Sequence, residues 1–115
     1  MENLNVWIHC RVSTERSKDV LDYQEDELKH ITDDFDMHVV GITRQVTSGN
    51  DLSSFGMQQL MMAIKRGKVD AVLVYSYKRI TVNEDLLEEF LMFCQMYDVL
   101  VWALNDVENF YSLTE

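Results

Sequence analysis

Between Val6 and Ser17 an apolar run, Val6-Trp7-Ile8, passes into His9-Cys10-Arg11-Val12-Ser13-Thr14-Glu15-Arg16-Ser17. A thiol, several hydroxyls and two guanidinium groups are thereby packed into a few residues. Guanidinium groups pair with phosphate oxygens through forked hydrogen bonds, so nucleophiles beside two arginines suit a ligand that carries phosphate. The apolar run has the character of a buried strand and the polar stretch that of a loop leading into a helix. In an open α/β sheet, ligands bind at such a junction. Two nucleophiles compete there, Ser13 and Cys10.

The elements needed to position these groups are legible along the chain. Ser17 is placed to cap a helix running to about Asp33, in which Val20, Leu21, Gln24, Leu28 and Ile31 share one face. Gln24 is the polar member of that stripe. Met37 to Ile42 reads as a second strand, and Thr43 to Ser54 as a polar loop containing the turn signal Ser48-Gly49-Asn50-Asp51. Phe55, Met57, Leu60, Met61 and Ile64 follow helical spacing up to Lys65-Arg66 and Gly67, a cationic end with a C-terminal glycine. Asp70 to Tyr75 is nearly continuously apolar, as in a central parallel strand. Its exit, Ser76-Tyr77-Lys78-Arg79, brings cations to the same sheet edge as the first loop. Asn83 caps a third helix with Leu86, Leu87, Phe90, Leu91, Cys94 and Tyr97 on its apolar face. Val99 to Leu104 is the last strand, and Asn105 to Glu115 reads as a tail or a short terminal element. The alternation predicts an α/β fold, a mostly parallel sheet of four to five strands with helices on both faces in three layers.

The chain has 115 residues, 47% of them hydrophobic, with no Pro and four Gly, which fits one compact domain spanning residues 1–115. Met1-Glu2-Asn3 lacks the basic start of a signal peptide, and no apolar run approaches a membrane span, so a cytoplasmic protein with no membrane partner is expected. Cys10 and Cys94 are too few for a disulfide framework or a zinc site, and no metal or cofactor is implied. Twenty acidic residues against ten basic ones give a net charge of −10, which repels a nucleic-acid backbone wherever the bases do not cluster. They cluster in part, at Arg11 and Arg16, at Lys65, Arg66 and Lys68, and at Lys78-Arg79. DNA binding by this domain alone is therefore expected to be weak or indirect. His30 and His38 read as surface residues and Cys94 as a small core hydrophobe. Met61, Met62, Met92 and Met96 read as adaptable core filler, and Glu84, Asp85, Glu88 and Glu89 as a solvated acidic face.

Several blocks in order resemble the catalytic domain of serine recombinases, the resolvase and invertase family. They are Cys10-Arg11-Val12-Ser13-Thr14-Glu15-Arg16, Leu21-Asp22-Tyr23-Gln24, Ser48-Gly49, Lys65 to Tyr75, and Arg79, covering about Val6 to Leu104. The resemblance implies a resolvase-like fold and DNA strand exchange through a 5′-phosphoserine ester, with charge on the phosphate stabilised by arginines rather than a metal. It assigns Ser13 as nucleophile, Arg11 and Arg79 as phosphate ligands and Gln24 as a support. Lys78, His9 and Ser48 are auxiliary candidates.

The chain also departs from the family's pattern. His9 stands where the family has tyrosine, Arg44-Gln45 where an aspartate is expected, and Ser54-Phe55 where an arginine precedes Gly56. The block Leu-Asp-Arg-Leu-Ser-Arg appears as Tyr77-Lys78-Arg79-Ile80-Thr81-Val82. Removing one preorganised donor from such a site typically costs about a hundredfold to a thousandfold in rate. These losses imply an impaired Ser13 and a binding or regulatory role, through pairing with an intact recombinase or with a second copy. An active recombinase domain is the alternative. No DNA-binding domain is expected within residues 1–115.

The competing reading uses Cys10. Cys10, five residues and Arg16-Ser17 match the phosphate loop of cysteine-dependent phosphatases, in which a thiolate attacks phosphate. Against it, Arg11 to Glu15 contains no glycine to turn successive amides inward, and Glu15 adds negative charge.

Overall fold

The computed structural model describes residues 3–104. Four strands, β1 (Asn5–Val12), β2 (His38–Val46), β3 (Ala71–Val74) and β4 (Leu100–Ala103), alternate with three helices, α1 (Lys18–Asp34), α2 (Phe55–Lys65) and α3 (Glu84–Met96). The strands form one sheet in the order β2-β1-β3-β4, and all three pairings are parallel. After β2 the chain crosses past β1 to β3, so the direction of winding reverses between β1 and β3. A ligand crevice is expected outside the strand ends at that point.

Strand periodicity sorts the side chains of β1 between the two faces. Val6, Ile8, Cys10 and Val12 join Ala71 and Leu73 in a buried cluster with Leu21 and Leu28 of α1. On the opposite face Val72 and Val74 pack with Met57, Leu60 and Ile64 of α2 and with Phe90 and Cys94 of α3. Trp7, His9 and Arg11 alternate with the first set and so lie on the α2 and α3 side.

The third helix begins as its sequence suggests, with Asn83 accepting the amides of Asp85 and Leu86 at 3.0 and 3.2 Å. The end of α2 is followed by Gly67 at φ 71°, a conformation that glycine adopts without a steric penalty. At the start of α1 the reading is corrected. A short 3-10 turn, Glu15–Ser17, precedes the helix, and the Ser17 hydroxyl makes no capping bond.

Other expectations are revised. The second strand continues through Thr43-Arg44-Gln45-Val46, which read as loop. Met62, Met92 and Met96 are not core filler, being 48%, 60% and 78% exposed, whereas Met57 is buried. His30 and His38 are exposed as expected, and Cys94 is fully buried. The acidic residues Glu84, Asp85, Glu88 and Glu89 are exposed. The segment from Asn105 to Glu115 lies outside the described residues. Among the described residues no helix is long and apolar enough to cross a membrane.

Candidate active site

The end of β1 carries a buried arginine. Arg11 is 2% exposed, and its guanidinium is held by protein groups on several sides. Nε donates to the Arg79 carbonyl at 3.2 Å, Nη2 to the Lys78 carbonyl at 2.6 Å and Nη1 to the Thr47 carbonyl at 2.8 Å. Nη1 also donates to Ser13 Oγ at 3.2 Å. An arginine has five N–H donors, and these four contacts leave one. Burial, followed by the Arg79 guanidinium, lowers the Arg11 pKa from its ordinary value, yet an arginine with such a strong basicity remains charged.

Gln24 makes a two-bond clamp on the Arg11 backbone. Its Oε1 accepts the Arg11 amide at 3.2 Å and its Nε2 donates to the Arg11 carbonyl at 3.1 Å. The polar residue in the apolar stripe of α1 is thus fully buried and paired. The same Arg11 carbonyl accepts Nη1 of Arg79 at 3.2 Å. Arg79 Nε is buried and makes no hydrogen bond among the described residues. Ser13 and Lys78 are exposed. Ser48 is exposed too, its Oγ accepting the Asn50 amide at 3.4 Å.

Gly49, the next residue, is buried at φ 75° against Arg11. A Cβ there would lie 2.5 Å from the guanidinium carbon, so a bare backbone is needed for the close approach. Its carbonyl accepts Thr81 Oγ1 at 2.7 Å and the Val82 amide at 2.9 Å. Sequence reasoning missed Thr47, Gly49 and Thr81 as parts of the site. The turn signal and the position of Thr81 near Arg79 were the available clues.

His9, two residues before Arg11, is fully buried. Its Nδ1 meets the Thr43 hydroxyl, which also accepts Trp7 Nε1–H at 3.3 Å. Because an indole N–H can only donate, the hydroxyl proton of Thr43 is best used on Nδ1, which assigns the neutral ring's own proton to Nε2. Nε2 has no partner within hydrogen-bond geometry among the described residues. Burial first and the Arg11 guanidinium second push the His9 pKa down to about 4, against a smaller opposing pull from the Arg79 backbone.

Cys10 points the other way, into the α1-side cluster, with no exposed surface. Burial, and then the negative charge of Glu25, push its thiol up to about 12. A phosphatase needs an accessible thiolate near neutral pH. The Cys10 reading is therefore corrected: the spacing to Arg16 is a coincidence of sequence. Arg44 is likewise turned toward α1, bound to Glu25 at 2.8 Å and to Asp22. Among the described residues no cluster of His, Cys, Asp and Glu could hold a metal ion.

The sequence matches the family model of the resolvase N-terminal domain over residues 6–114. The chain belongs to the serine recombinase family. No curated protein matches the sequence significantly. Among solved structures, the recombinase domain superposes with a TM-score of 0.83 on the C-terminal catalytic domain of ISC1926 TnpA, an IS607-like serine recombinase, at 22% identity over 88% of this chain and 67% of that one. The N-terminal catalytic domain of TP901-1 integrase matches at 26% identity and a TM-score of 0.78, covering 89% of this chain and 78% of that one. A resolvase family site-specific recombinase from Streptococcus pneumoniae matches at 24% identity and 0.79, covering 90% and 74%. The serine recombinase fold expected from the sequence is therefore present, with four strands among the described residues, all parallel. Within it Ser13, Arg11, Gln24 and Arg79 meet at the end of β1, while Ser48 and Lys78 border them and His9 lies beneath in the core.

Proposed function

We propose that this serine recombinase domain serves site-specific DNA recombination as a binding or regulatory module, pairing with an intact recombinase, and that its own Ser13 is impaired in strand exchange. The observation that supports this reading is the engagement of Arg11. A guanidinium that stabilises a phosphoryl transition state must present its donors to the oxygens on which charge develops. Arg11 spends three contacts on backbone carbonyls and a fourth on Ser13 itself. The arginine expected before Gly56 is absent, and Val82 stands where another is expected, so two further guanidinium groups of the family's pattern are missing. Lys78 contributes a point charge in place of an aspartate, which cannot reproduce a forked contact.

If Ser13 were active, its oxygen would attack a backbone phosphorus, form a phosphoserine ester with the 5′ phosphate and expel the 3′ oxygen, which takes up a proton. The experiment follows that bond. Purified protein is mixed with supercoiled DNA bearing a partner recombinase's sites, quenched in denaturant and examined for covalent protein–DNA complexes. None is expected. A complex that disappears in Ser13→Ala would establish the active alternative and overturn this reading.

A further inference from the structure

We infer that Thr81 is a positioning residue that latches the site closed, holding Gly49 so that the Arg11 guanidinium stays on its backbone carbonyls. This inference deepens the proposed function and rests on it for the statement that an Arg11 held on backbone carbonyls leaves Ser13 without a phosphate ligand.

The segments that hold Arg11 come from separate parts of the chain. Thr47 follows β2, whereas Lys78 and Arg79 follow β3, and no strand pairing joins these two exits, because β1 lies between them. They are joined instead by Gly49. Its carbonyl receives the Thr81 hydroxyl at 2.7 Å and the Val82 amide at 2.9 Å. A ring is thereby closed, running from Arg11 to the Thr47 carbonyl, along the backbone to Gly49, across to Thr81 and back along the backbone to the Arg79 and Lys78 carbonyls. The guanidinium sits inside it, with the Gly49 Cα against its face.

Two bonds close this ring, one from the Val82 amide and one from Thr81, and Thr81 supplies the side-chain bond. Thr81 is 2% exposed, so water does not substitute freely for its hydroxyl. The same oxygen accepts the Asn83 amide at 3.2 Å, and Asn83 is the cap of α3. The start of α3 is therefore connected to Ser13 through Thr81, Gly49, Thr47 and Arg11. A partner that displaces the first turn of α3 would open the ring and free donors beside Ser13.

The test compares Thr81→Val, which keeps the shape and removes the hydroxyl, with Thr81→Ser, which keeps the hydroxyl. Hydrogen exchange at Arg11 Nε–H is followed by NMR, with the Leu73 amide in the central strand as the internal reference. Loss of one hydrogen bond from the ring is expected to speed Arg11 exchange by about fivefold to tenfold relative to Leu73 in Thr81→Val, with wild-type behaviour restored in Thr81→Ser. Unchanged Arg11 exchange in Thr81→Val, or equal acceleration in Thr81→Ser, overturns the latch. Wild type supplies an independent measurement if the valine variant does not fold. Arg11 Nε–H and the Val82 amide should show equal protection, each rate taken relative to that group's intrinsic exchange rate, because one opening exposes both, and a much less protected Arg11 overturns the proposal. Inorganic phosphate added to Thr81→Val should then shift the Arg11 signal. Accelerated exchange without a phosphate shift supports the latch and removes the reading of Arg11 as a phosphate ligand.

Discussion

His9 is a neutral imidazole buried two residues before Arg11 in β1, and the energetic consequence can be given a sign. In the unfolded chain a histidine titrates near 6.5, whereas in the fold His9 titrates at about 4. Between those values the unfolded chain takes up a proton that the folded chain refuses, so stability falls as the pH falls through this window. From pH 7 to pH 5 the loss is about 2 kcal/mol, read as a drop in the urea midpoint. The paired carboxylate Glu25, held below its usual range first by its hydrogen bonds to Lys29 and Arg44, adds its own loss only at lower pH. His9→Gln should flatten the slope between pH 7 and pH 5, and an unchanged slope would assign the effect to another group. Gln24 permits a second measurement. Gln24→Leu keeps the volume but leaves the buried Arg11 amide without its partner, at a cost of about 1–3 kcal/mol in denaturant unfolding. Thermal or chemical stability equal to wild type would show that the clamp contributes nothing.

At the scale of the elements, β2 shows where periodicity stops being informative. Its first residues are β-branched and were legible, but Thr43, Arg44 and Gln45 have a loop-like composition. Thr43 and Arg44 are kept in the strand by partners remote in sequence. Thr43 serves Trp7 and His9 on one face, and Arg44 serves Asp22 and Glu25 of α1 on the other. The pairing of β1 with β2 also shifts register between Val6 and Trp7, where Val39 and Gly41 are the partners and Val40 is the extra residue. Bulges of this kind sharpen the local twist of an edge strand and make it a poorer template for other chains. Gly41 is required by the indole beside it, since a Cβ would come within 2.3 Å of the Trp7 ring. Gly41→Ala is predicted to cost about 1–3 kcal/mol through forced movement of that ring, with Trp7 fluorescence reporting the displacement. The helices were easier to read because their caps and stripes are local. Arg11 was the harder case: the residue type announced a phosphate ligand, whereas its burial on carbonyls of residues 47, 78 and 79 is set entirely by tertiary contacts.

For the whole molecule, the distribution of charge decides how the domain meets DNA. Helix α1 carries seven acidic residues, and α3 carries four with no Lys or Arg. The cations of the site are few by comparison, and Arg11 is already engaged. Counterion release supplies most of the affinity for a generic duplex and requires several lysines or arginines on one accessible surface. At 0.1 M salt, charges more than about 10 Å apart are largely screened, which weakens repulsion from the distant acidic faces without creating the missing attraction. The isolated domain is therefore predicted to bind a random duplex more weakly than about 10⁻⁴ M at 0.1 M salt, the weak end of ordinary non-specific binding. Fluorescence anisotropy of a labelled duplex checks this directly. Tight binding that weakens steeply with added salt would mean that Arg16, Lys78 and Arg79 form a sufficient phosphate surface by themselves. Lys78→Glu would then abolish it, whereas in the absence of such a surface the same substitution leaves the anisotropy unchanged.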